Sequence, residues 1–115
     1  MTPEEVNMEI ATRVMGWTEA TPTDPRRLYW KGSLGPLETS PAAAMIGRYF
    51  DPMHRIEHSW MVVEKLESRQ FIVEQKHDRW ICNIQDKTGK WFDVDPQATA
   101  QEAICLAVLK AKEVV

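Results

Sequence analysis

QFIVEQKHDRWICNIQDKTGKWFDVD, residues 70–95, holds three short runs rich in β-branched and aromatic residues, separated by two breaks. His77-Asp78 and Asp86-Lys87-Thr88-Gly89 carry the turn chemistry of antiparallel hairpins. The stretch therefore predicts a three-stranded antiparallel meander over Gln70 to Lys76, Arg79 to Gln85 and Lys90 to Asp95. Because alternate side chains of a strand point to opposite faces, Phe71, Val73, Cys82, Ile84, Phe92 and Val94 share one apolar face. The other face carries Ile72, Ile81 and Trp91 among Glu74, Asn83 and Asp93. Leaving three such groups in water forgoes about 1.5–3 kcal/mol each. That face is therefore expected to be covered, either by the first helix or the aromatic connector, or from outside by a partner protein or a second copy.

Helical patterns flank the meander. Thr2-Pro3-Glu4-Glu5 combines a hydroxyl N-cap, proline at the first helical position and a capping-box glutamate. Val6, Ile10 and Val14 then repeat every four residues, and Gly16 is placed to stop a first helix running from Pro3 to Met15. From Trp17 to Phe50, four prolines and three glycines predict a long connector; Tyr29-Trp30 reads as a short strand and Ser40 to Ala44 as a capped helical turn closed by Gly47. Asp51-Pro52 reads as the start of a second helix ending near Ser68, with Ile56, Trp60, Val63 and Leu66 on its core side. Thr99 to Glu102 repeats the capping box and opens a third helix to about Lys112. With Cys105, Leu106 and Leu109 added to Ala103, Ile104, Ala107 and Val108, this helix is apolar on more than one side, so it is either buried broadly or meets a partner. The fold class is α+β, in the order α, long connector, α, β, β, β, α.

The 115 residues suffice for one core, so residues 1–115 read as a single domain. At 43% hydrophobic and 27% charged the composition is globular, and the longest apolar run, Ala103 to Leu109, is far short of a membrane span. Glu4 and Glu5 stand where a secretory signal would be basic. Cys82 and Cys105 each sit in an apolar run, as reduced cysteines do. The expected location is the cytoplasm. A net charge of −3 argues against nucleic acid as a partner.

RVMGW (13–17), WMVVEKL (60–66) and ATAQEAICLAVLKA (98–111) resemble the phage ABA sandwich domain proteins, small products of phages and prophages. The resemblance spans most of the chain and implies a layered α/β/α sandwich, in keeping with the two-faced meander. It implies no activity and no catalytic residues. SPAAAMIGRYF (40–50) reads as local elaboration.

HRIEH (54–58) spells the H-x-x-E-H of some zinc hydrolases, with His54 and His58 on one helix face and Glu57 as base. A catalytic zinc needs a third protein ligand, and the downstream helix offers only Glu102, already used at its capping box. The expectation is no metal, with His58 on the solvent side of the helix. A double-stranded RNA-binding domain shares the order α-β-β-β-α, but it begins its last helix with lysines, where this chain has Thr99-Ala100-Gln101-Glu102. Asp93 and Asp95 read as solvated edge charges, and neither cysteine has the basic surroundings of a nucleophile. No catalytic residue and no cofactor is expected, and hence no enzyme. Trp17 and Trp60 are assigned to the core; Trp30, Trp80 and Trp91 are open to recognition.

The expectation is a phage or prophage accessory protein acting by binding. Its partner would be a host or phage protein or itself, met through Leu109 of the last helix or Trp91 of the second sheet face. The alternative is a small-molecule or nucleotide binder that sequesters a host signal, using Trp30 with Arg26, Arg27 and Lys31.

Overall fold

The computed structural model describes residues 1–20, 28–33 and 37–112. Helix α1 (Pro3–Glu9) opens with both halves of the expected capping box: Thr2 Oγ1 accepts the Glu5 N–H, and the Glu5 carboxylate accepts the Thr2 N–H. A π-helical segment, Ile10–Val14, continues it, and Gly16 ends it at φ 73°. The wider turn, closed by Met15 N–H to the Ile10 carbonyl, lets Ile10, Ala11, Val14 and Met15 all face the core. Strands β1 (Thr18–Ala20) and β2 (Tyr29–Lys31) pair antiparallel, and a 3₁₀ turn over Pro41–Ile46 is capped by Ser40 and closed by Gly47. The connector lies against the core through buried Trp17, Trp30, Tyr49 and Phe50; Trp17 meets Phe50 edge to face at 4.8 Å.

The second helix starts later than expected. The Asp51 carbonyl accepts the N–H groups of His54 and Arg55, closing one isolated turn, and Arg55 is extended. Helix α2 (Ile56–Leu66) begins only then. The Asp51 side chain cannot cap it, because that carboxylate is held by Asn7 and His54. The core face of α2 is also not the one expected: His58, Ser59 and Val62 are buried, while Trp60 is 46% exposed and lies edge-on to Phe71. The apolar stripe misled because two polar residues of the true core face are satisfied by connector groups.

Strands β3 (Gln70–Lys76), β4 (Arg79–Gln85) and β5 (Trp91–Asp93) form the expected meander, with Val73 opposite Cys82 and Ile84 opposite Phe71 and Phe92. The Trp80–Gln97 pairing sits one residue out of the β4–β5 register, so the β5 side carries one extra residue within Val94 to Pro96, a stretch where the missing N–H of Pro96 is harmless. Helix α3 (Ala100–Ala111) packs on the apolar face of all three strands, with α2 and the first helix on its other side. The α+β class and the element order are as read from the sequence. Of the covers considered for the second face, the first helix is not one: with its π-helical segment it packs on α2 and α3, and Ile72 and Trp91 remain 43% and 46% exposed.

Candidate interaction face

The histidines of HRIEH converge on Asp51. The Asp51 N–H donates to His58 Nδ1 at 2.9 Å, and His54 Nδ1 stands 2.9 Å from the Asp51 carboxylate. The two imidazoles do not share a helical turn, since Arg55 between them is extended. His58 is buried and stacked on Phe50, so its expected solvent position is corrected: it is an acceptor for backbone inside the core. Burial, aided by Arg55, holds its pKa below the ordinary value. Asn7 of α1 completes the cluster, donating to Tyr49 Oη and Asp51 Oδ1 and accepting the Met53 N–H. Ser59 Oγ donates to the Pro52 carbonyl. Every group here is engaged in joining α1, the connector and α2, which is the chemistry of a structural clamp. Among the described residues, no three His, Cys, Asp or Glu side chains are placed to hold a metal ion.

The residues singled out for recognition separate into three groups. Trp30, 3% exposed, and Leu109, fully buried, have no surface to offer; both are core residues, because α3 packs against the meander on one side and α2 with the first helix on the other, and β2 presses Trp30 inward. Self-association through Leu109 is therefore corrected. Trp80 is half-buried against the core, and Arg26 and Arg27 lie outside the described residues. Trp91 is accessible, and it stands on the outer face of the meander with Ile72 and the half-buried Ile81.

The register lays out that face. Lys76 pairs with Arg79, Glu74 with Ile81, Ile72 with Asn83, Asn83 with Asp93, and Gln85 with Trp91. It is a strip of apolar groups with two cations at the hairpin tip and carboxylates at its flanks. Sequence reasoning found this face by parity alone, and missed exposed Trp60 and the nearly free Met45 of the 3₁₀ turn. A groove of about 480 Å³ between the first helix, β2 and α2 is lined by Met15, Trp17, Met61, Glu64 and Lys65, a wall without convergent polar groups. A second, of about 350 Å³, collects Lys65, Lys87 and Lys112. Lys65 and Lys112 stand at the C-terminal ends of α2 and α3, where cations complement the helix dipole.

No helix of the described residues is long and apolar enough to cross a membrane. No curated protein and no solved structure matches the chain. The Phage ABA sandwich domain matches residues 9–109, a span that contains the whole meander, α2 and all but the last two residues of α3. On that match over most of its length, the chain belongs to the phage ABA sandwich domain family.

Proposed function

We propose that the protein is a non-catalytic accessory module of a phage or prophage, working in the host cell cytoplasm and docking another protein chain on the outer face of the meander. The observation that carries this reading is the exposure of Trp91 and Ile72, on a face that the described residues leave open. Covering each large apolar group contributes about 1.5–3 kcal/mol to association, and buried tryptophans are frequent anchors of interfaces. The two cysteines, free and buried, suit a reducing compartment. Nucleotide sequestration through the connector has less support, since the Trp30 ring that would stack on a base is in the core.

The test uses the wild-type chain and an Ile72→Lys/Trp91→Lys variant side by side as baits in a host lysate and in a lysate of infected cells. Both substitutions are on the surface, so the variant should keep the wild-type circular dichroism and melting temperature. A protein held by the wild type and lost from the folded variant supports docking on this face. Identical capture by both chains overturns it.

A further inference from the structure

Resting on the docking reading above, we infer that the occupant of the outer face is a second copy of this chain, related to the first by a two-fold axis passing beside Ile81. Three features of the face support this. Arg79 is exposed and makes no ion pair among the described residues. Asp93, diagonally across from it, is 81% exposed; its nearest cation, Lys110 Nζ, is 4.0 Å from Oδ1 and hydrogen-bonds the Asp93 carbonyl instead. Ile81 lies between them. In the observed register, Arg79 and Asp93 are four residues apart along the strands and one strand apart across them, which is about 14 Å at ordinary strand spacings. Ile81 then falls within about 3 Å of the midpoint of that diagonal.

A half-turn about an in-plane axis perpendicular to the diagonal exchanges its ends. Arg79 of each copy then meets Asp93 of the other, Ile81 lies on Ile81, and Trp91 is carried over the hairpin tip beside Lys76, where a cation can sit on its ring. The face is complementary to itself in the charges of Arg79 and Asp93. An axis at right angles to the strands would instead lay Arg79 over Asn83 and leave it one strand to the side of Asp93, rather than on it.

Two seven-residue strands and the three-residue β5 fit within roughly 23 Å by 14 Å, well under half of the about 800 Å² per partner of a stable interface. The dimer is accordingly weak and dependent on concentration.

Sedimentation equilibrium of the full chain between about 10 μM and about 1 mM is expected to show a monomer–dimer equilibrium. Arg79→Asp and Asp93→Arg, taken singly, should each weaken it by about tenfold or more, and the double exchange should restore most of the loss. A dimer indifferent to both single changes, or not restored by the double one, overturns the two-fold arrangement. A wild type that is monomeric throughout overturns the second copy as occupant. If capture from lysate still depends on Ile72 and Trp91 in that case, docking on the face stands with another partner; if it does not, both readings fall.

Discussion

At Asp51 single atoms do the work of joining elements. Its carboxylate receives Asn7 from α1, its N–H is held by His58 from α2, and its carbonyl closes the turn that precedes α2. Replacing Asn7 with Ala removes two donations and strands the buried Met53 N–H, and should cost about 3 kcal/mol, measurable by urea denaturation. His58 gives the cluster a pH dependence. It must be neutral to accept at Nδ1, and its pKa is depressed from 6.5, first by burial and then by Arg55, against the opposing pull of Glu57 and Asp51. The unfolded chain therefore takes up a proton before the folded one does. Stability from this residue is complete above the ordinary histidine value and is lost as pH falls below it toward the depressed folded value. His58→Asn keeps an acceptor near the Nδ1 position without titrating. Its melting temperature should fall less than that of the wild type when pH is lowered from about 7.5 to about 5; equal falls would show that His58 does not couple to stability. The sequence revealed the histidines but not this use of them: their partner Asp51 is only three and seven residues away, but the cluster is completed by Asn7, 44 residues from Asp51.

Element boundaries were legible wherever a local cap sets them. Thr2 with Glu5, Ser40 with Gly47, and Thr99 all cap as read. Of the second box, only the Thr99 half is formed, Oγ1 accepting the Glu102 N–H at 3.2 Å. Thr99→Ala should cost about 1 kcal/mol, seen as a lower denaturation midpoint with unchanged slope. Asp51-Pro52 was misleading for the converse reason: a residue well suited to cap a helix was taken by tertiary partners. The His77-Asp78 hairpin closes as expected, yet with His77 at φ 60°, a conformation that glycine adopts freely. His77→Gly is expected to stabilise the hairpin by about 0.5–1 kcal/mol, raising the midpoint; a drop would mean that the imidazole has a role the conformation does not explain. The other edge is guarded, since Lys110 reaches back from α3 to the Asp93 carbonyl at 2.9 Å.

For the molecule as a whole, α3 is the axis around which the layers are built. It has the meander on one side and α2 with the first helix on the other, so its apolar surface all round is a core signature rather than an interface. Cys105 of α3 and Cys82 of β4 lie inside this packing without exposure, and burial pushes the Cys82 thiol up to about 12 and raises Cys105 as well. Both thiols should therefore be silent to a thiol-specific disulfide reagent at about pH 8 and react together in denaturant, at a native rate set by global opening. A fast-reacting thiol in the folded protein would mean that the α3–meander interface opens locally. With one sheet face given to α3, Ile72 and Trp91 stand on the face that the described residues leave open.

The sequence by itself determined the elements that follow from periodicity and local capping: the meander and its two faces, the first and third helices, the folded connector and the family. Only the tertiary structure decided that Asn7, His58 and Ser59 are interior, that Trp30 and Leu109 are core while Trp60 is not, and that the first helix packs behind α3. The reason is physical. A local pattern records backbone preference and mean polarity over a few residues, whereas a polar side chain can be buried only when a distant segment supplies its hydrogen bonds, as Asp51 does for Asn7 across 44 residues. Which layer covers an apolar face likewise depends on where the chain returns, and no short window of sequence contains that.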